Sequence, residues 1–529
     1  MLTKSVAGTP SLAESLPPSC RKVFEAVGVR EAIERAGFLT AGGNMVCWDG
    51  GPPRVAMFGG GRVGHQVFRR DFDRLLLAEA SRAGARVRTA VTVRDVAFGE
   101  VASAPAGAGP PGRTGDGSRD EAADASAQHQ AAQVTVTGRD EQGRTVTATA
   151  RTVLDCSGRA GIVARRYRTR VQAGEATLAL IGVWRNDGGW SLREAAPGRD
   201  AGPGGAGGAD DAQTVVEAYA DGWAWSVPVS GARRYVTVMV DPRTTEADRA
   251  GSLAARYLAE LGKTKYLVRL TAGGTLEGPP WALDASQYGA RRFAGRGFLL
   301  VGDAATFIDP LSSFGVKKAM ASGWLAAVVT NTCLRHPDRA GLARDFHADR
   351  ERQVWESYRR QAAAFFAEVS RRELHPFWSD RSDPFALDAR AGRAGGTDAV
   401  EAFRRSPAVR EAFEALRRAP SIRLRPTGAA RTTAVPRVEG REIVAGACLS
   451  LDAGEAGVVA LRYLRGVDLP GLLAMAGERT QVPDLYALYR ESHPPVGLAD
   501  FLGALAVLLG TGLVRNEVEE RPEASNPVY

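Results

Sequence analysis

The chain has 529 residues, 44% hydrophobic and 24% charged, enough for a globular protein of two or more domains with a substantial core. Its formal charge is +8, but 68 Lys and Arg residues are interleaved with 60 Asp and Glu and form no basic stripe with aromatics, which argues against nucleic-acid binding. Five cysteines without a CxxC pair and six scattered histidines argue against a disulfide framework and a metal site. The N-terminal MLTKSVAGTPSLAESLPPS has no apolar core of the signal-peptide type, and the apolar run 501–514 is too short to span a bilayer and holds Gly503, Gly510 and Gly512. A cytoplasmic protein with no membrane contact is expected.

In chain order, 71–84 reads as an amphipathic helix and 85–93 as a strand. Two low-complexity stretches, 102–133 and 188–213, are rich in Gly, Ala, Ser and Asp and cannot bury a core. Strand-like runs flank each of them, 91–98 with 134–136 and 178–184 with 214–220, so both are expected as disordered insertions at hairpin tips. TVLDCSG at 152–158 reads as a buried strand ending at glycine. WAWSVP at 223–228 and the run 235–240 read as strands of one sheet, with Trp223 and Trp225 on a shared face. Core packing is the favoured role for that pair, with a ligand wall as the alternative.

The run GFLLVGDAATFIDPLSSFGVKKAMASGWLA at 297–326 carries the most chemistry. Residues 298–301 predict a buried parallel strand, Gly302 a sharp turn at its C-terminal end, and Asp303 a carboxylate at the sheet edge. The small, turn-forming 310–315 precedes a helix over 316–329, whose first backbone amides would face an anionic or electron-rich group. Further helices are expected at 351–372, 460–476, 483–491 and 498–513, with a strand at 442–447.

Taken in order, ESLPPS at 14–19, AGFLTAGGNMVCW at 36–48, the RxxFD pattern of Arg69, Phe72 and Asp73, DCSGR at 155–159, WAWSVP and the 297–326 run resemble the flavin-dependent halogenase family (tryptophan-halogenase-like) and its FAD-dependent monooxygenase relatives. The resemblance covers about residues 10–381. Its most specific part is FxxPxxSxG, matched by Phe307, Pro310, Ser313 and Gly315. It implies an α/β fold: a Rossmann-type three-layer FAD-binding domain at 1–170 plus 285–350, a substrate-side β-sheet domain at 171–284, and a helical segment at 351–430. The remaining 431–529 reads as a small C-terminal winged-helix-like α+β domain. Family members open on a βαβ unit whose GxGxxG turn holds the FAD pyrophosphate. The resemblance implies that this chain starts after that unit, within a longer reading frame. Gly59, Gly61 and Gly64 satisfy GxGxxG by spacing, but they align with the glycine loop before Arg69.

By the same resemblance, Arg69, Asp155, Gly158, Gly302, Asp303, Phe314, Gly315 and Val316 would bind FAD, and Pro310, Ser313 and Gly315 would border the reacting atoms. Ser313 could hydrogen-bond the oxidant or only its own backbone. Reduced FAD would react with oxygen to give a C4a-hydroperoxide that hydroxylates an electron-rich aromatic, whether a small molecule or one bound to a carrier or peptide. Electrons would come from NAD(P)H or from reduced flavin supplied by a partner reductase. Halogenation is the alternative, opposed by Ala41, which stands where halogenases carry a lysine that conveys the oxidised halogen. A catalytically inactive scaffold is the third reading. Glu14 and Asp309 are the motif carboxylates near the site, with Glu14 read as structural.

Overall fold

The chain forms two units, Met1–Asp388 and Ala389–Tyr529. The computed structural model describes residues 1–4, 11–48, 50, 53–99, 133–166, 170–172, 175–190, 212–229, 232–243, 251–382, 402–403, 405–419, 421–428, 431–452 and 457–517. The expected insertions at 102–133 and 188–213 lie, apart from their edges, outside the described residues. Among the described residues no helix is long and apolar enough to cross a membrane.

Strands β1 (Ala13–Leu16), β2 (Leu39–Ala41), β3 (Gly43–Cys47), β4 (Arg54–Met57) and β5 (Gly64–Phe68) precede helix α1 (Arg69–Arg82). β5 pairs antiparallel with both β1 and β2. Gly60 and Gly61 adopt positive φ in the turn between β4 and β5, and Gly64 opens a strand. The GxGxxG-like glycines therefore do not sit at a helix N-terminus. Leu2 meets Arg88 in an isolated parallel bridge, and the regular strand expected from 85 begins only at Thr92, because Ala90 takes a positive φ of 59° that breaks the extended run.

After β6 (Val153–Asp155) come β7 (Leu178–Arg185), β8 (Thr214–Tyr219), β9 (Gly222–Pro228) and β10 (Arg233–Val240). These join an eight-stranded sheet in the order Thr275–Leu276, β7, β10, β9, β8, β3, β4, with Trp281–Asp284 also along β7. β7 and β8 are thus separated by two strands, which corrects the hairpin expected around 188–213. The 92–98 and 134–139 strands do pair antiparallel, so the 102–133 segment connects two neighbours. Period-two alternation splits the large sheet into two buried faces. Trp223, Val227, Tyr235 and Met239 lie in one apolar cluster, and Ala224, Val236 and Val238 in another, under helix Leu253–Gly262. Gly182 is required on that second face, since a Cβ there would fall 2.5 Å from the Tyr257 ring.

The parallel strand expected at 298–301 forms as β11 (Phe298–Leu300), in register with β6 as Phe298↔Val153 and Leu300↔Asp155. Helix α2 (Gly315–Arg335) follows, and α3 (Ala340–Ser370) packs on it. α3 begins at Ala340, eleven residues before the expected 351. His347, fully buried on α3, ties it to β11 through a 2.9 Å hydrogen bond to the Leu300 carbonyl.

In the second unit, Leu424–Pro426 pairs with Val514–Asn516, and Thr432–Glu439, Glu442–Asp452 and Val458–Leu461 form an antiparallel sheet. Its core is built on helix Leu498–Gly510, with Phe501, Leu505 and Leu508 fully buried. Phe403, Val409 and Leu416 join that core, so helix Pro407–Arg418 belongs here and not with α3. The helix expected over 460–476 forms only at Leu469–Met475. Before it, Tyr463–Leu464 and Val467–Asp468 make a hairpin whose two turn residues, Arg465 and Gly466, both have positive φ, the tight-turn geometry that a helix excludes.

Candidate active site

A cavity of about 430 Å³ lies in the first unit between the ends of β6 and β11, the start of α2, and one face of the large sheet. The 297–326 run builds its floor. Gly302 has φ +61° at the end of β11, its N–H donates to Ser322 Oγ at 3.0 Å, and an added Cβ would meet the Ala319 Cβ at 3.0 Å. That close crossing brings α2 onto the strand end and turns Asp303 into the cavity, with one third of its side chain exposed.

Next, the Asp309 carboxylate caps the short turn Pro310–Ser312 by accepting from Leu311 N at 3.0 Å. Ser313 then takes a left-handed φ of 52°, a conformation that costs a non-glycine residue about 1 kcal/mol or more and persists where surroundings enforce it. The hydroxyl that bonds the turn's own backbone is that of Ser312, to the Asp309 carbonyl at 3.1 Å. Ser313 lines the cavity. α2 then starts at Gly315, and apart from its chain neighbours and its own helix backbone no atom lies within 4 Å of where a Gly315 Cβ would be. Its first amides have no side-chain cap.

Of the residues expected at the site, Arg69, Gly158, Gly302, Asp303, Pro310, Ser313, Gly315 and Val316 all line this cavity. Two do not. Asp155 is buried, and its oxygens are taken by Ser157 N at 3.1 Å, Ser157 Oγ and Val163 N at 2.8 Å, so it shapes the loop carrying Gly158. Phe314 turns aside to pack on Tyr358, ring centroids 5.6 Å apart.

Arg69 forks onto Asp73 with two 3.1 Å bonds and stands 3.5 Å from Glu14 on β1. Burial raises the Glu14 carboxyl above its ordinary value, against the pull of Arg69 and with a further push from Asp303. Facing this charged edge is a neutral wall from the sheet: Thr214 and Val216 on β8, Trp223, Trp225 and Val227 on β9, Tyr235 and Thr237 on β10. The two tryptophans lie 5.1 Å apart and both border the cavity, and Trp223 is also fully buried against Trp48, in keeping with the favoured core-packing role. Tyr235 and Thr237 were missed, although their alternation in RRYVTVMV places them on one face. Ala41 is buried at the end of β2 and is not among the described lining residues, none of which is a lysine.

Asp309 itself is 4% exposed, and burial pushes its carboxyl up to about 6, against the Leu311 amide, Arg381 and Gln287. A carboxyl raised in the fold favours the folded state most below its unfolded value, and that contribution is lost as pH rises through the folded value. Asp309→Asn is therefore expected to be more stable than the parent at pH 7, by about 2–3 kcal/mol at most, with the advantage gone by about pH 4. Urea unfolding at both pH values checks this; an Asn variant that is less stable at both would refute it.

The model of the family described as "Tryptophan halogenase" matches residues 119–416. A tryptophan 2-halogenase of Chondromyces crocatus is 27% identical over 389 residues, covering 72% of this chain and 65% of that protein. The flavin-dependent halogenase armH1 of Armillaria mellea is 26% identical over 365 residues, covering 66% and 62%. The chain thus spans just under two thirds of the length of these curated relatives. Among solved structures, the flavin-dependent halogenase CmlS superposes with TM-score 0.63 at 22% identity over 95% of this chain and 88% of that one. The peptidyl tryptophan dihydroxylase QhpG gives 0.59 at 21% identity over 97% and 93%. These structures share the fold, that of FAD-binding halogenases and monooxygenases. With more than half of its residues matched, the chain belongs to the tryptophan halogenase family of flavin-dependent oxidoreductases.

Proposed function

We propose that this protein binds FAD along the α2 start and hydroxylates an electron-rich aromatic ring seated against the Trp225 and Tyr235 wall. One observation carries the reading: a single cavity joins a charged, glycine-lined edge to a neutral aromatic wall, and no lysine is among its described lining residues. The residues fit the cofactor. The bare Gly315 and the uncapped amides of α2 leave room for an electron-rich ring, Asp303 can accept from ribityl hydroxyls, and Arg69 offers a cation nearby. Bound flavin, once reduced, would activate dioxygen for transfer to the aromatic ring.

The protein's own part is placement. Trp225 and Tyr235 orient the substrate ring, Pro310 and Ser313 fix the loop between the two compartments, and the apolar wall excludes water. In the net reaction one oxygen atom of dioxygen replaces an aromatic hydrogen with hydroxyl. The other leaves as water, with two electrons from NAD(P)H or from reduced flavin delivered by a separate reductase. On this reading 1–170 with 285–350 forms the cofactor half and 171–284 the substrate half.

Halogenation is the second reading, favoured by the family match and by the relatives named as halogenases. Product mass separates the two. The chain is supplied with FAD, a flavin reductase, NADH and indole or phenol probes, with and without chloride and bromide. Products one oxygen heavier in both buffers support hydroxylation, whereas products in which halogen replaces hydrogen, formed only with halide, overturn it.

A further inference from the structure

Two consecutive lysines lie in the first turn of α2, where a cation is disfavoured by the helix dipole. Lys317 spans outward, donating to Ser19 Oγ at 3.0 Å and standing 4.7 Å over the Phe314 ring. Lys318 is buried, with 1% of its side chain exposed. An ammonium placed against both burial and dipole survives only if its partners compensate fully. They do: its three protons go to Asp303 Oδ1 at 3.2 Å, Thr306 Oγ1 at 3.1 Å and the Thr306 carbonyl. With every proton committed and no exposure to the cavity, this amine cannot itself carry an oxidised halogen.

We propose that Lys318 is a positioning residue that acts through Asp303, holding that carboxylate from behind so that its cavity-facing oxygen accepts the ribityl hydroxyls of the flavin. The inference rests on the flavin reading above. Three observations converge on it. Lys318 bonds Asp303 through Oδ1, and Asp303 itself lines the cavity. Its two bonds to Thr306 fix the strand Thr306–Phe307 directly behind the Gly302–Ala304 turn. Tyr288 Oη donates to the Asp303 carbonyl, so the backbone of the same residue is held as well. Lys318 is not among the residues that line the cavity, whereas its α2 neighbours Val316, Ala319 and Met320 are.

The test is a double-mutant cycle on flavin affinity, read by fluorescence quenching on the full chain, with riboflavin beside FAD because riboflavin carries the ring and ribityl chain alone. Lys318→Met and Asp303→Asn are each expected to weaken both flavins on the order of tenfold, the worth of one hydrogen bond to a charged group. The double variant should bind no more weakly than the weaker single. Losses that multiply in the double variant, a loss seen with FAD but not riboflavin, or a Lys318→Met chain that binds like the parent would each overturn the proposal. If Lys318→Met alone does not fold, the double variant, which removes both charges together, is compared with Asp303→Asn: equal affinities support the role and a further tenfold loss overturns it. A parent chain that binds neither flavin would overturn the flavin reading first and this inference with it, an outcome distinct from the others.

Discussion

Trp378→Ala is expected to destabilise the first unit by about 3–5 kcal/mol, the usual cost of emptying a fully buried tryptophan site. Trp378 has no exposed surface and packs on Phe377, Trp48 and Phe366 at ring separations of 5.0, 5.6 and 5.9 Å. Its indole N–H also donates to the Tyr219 and Ala220 carbonyls at 3.1 and 2.9 Å, in the turn between β8 and β9. Those two strands supply most of the aromatic wall. Truncation therefore opens a cavity and also leaves two carbonyls without their donor, worth about 1 kcal/mol more. Trp378→Phe keeps most of the apolar volume and should fall between the two. Urea unfolding followed by near-UV circular dichroism measures both, and a loss below about 1 kcal/mol for the alanine variant would show that the wall does not depend on this anchor.

Gly302→Val should cost about 2–5 kcal/mol and abolish flavin binding together. The left-handed backbone there costs an L-residue about 1–2 kcal/mol, and a β-branched one more. Overlap with Ala319, already at 3.0 Å from a bare Cβ, must push α2 away from β11 or twist the turn, adding about 1–3 kcal/mol. Either movement displaces Asp303 and Lys318, which the same turn and helix hold in contact. Thermal unfolding and flavin titration on the same preparation check it. A valine variant that loses stability but keeps flavin affinity would mean that the Gly302 turn serves packing alone.

Much of the site was legible from local sequence, because short-range geometry fixes it. An apolar run followed by Gly-Asp announces a buried strand ending in a positive-φ turn, and the Pro310 to Gly315 spacing announces a turn feeding a helix. Alternation also put Trp223 and Trp225 on one face. None of these needs a partner more than a few residues away.

What sequence could not rank were residues alike locally but different in surroundings. Asp155 ends one parallel strand and Asp303 stands just past the end of its neighbour, each within three residues of a glycine. Only the tertiary structure shows that Ser157 and Val163 saturate the first, while the second faces the cavity with Lys318 behind it. The strand order, which separates β7 from β8, was likewise decided at long range, whereas the Arg465–Gly466 hairpin that replaces the front of an expected helix is a local turn. Sequence by itself determined the family likeness, the strand-turn-helix of the cofactor edge and the period of the wall. The fold decided which carboxylate lines the cavity, which lysine is committed and what the tryptophan face looks onto, because burial and hydrogen-bond partners depend on how separate elements pack together.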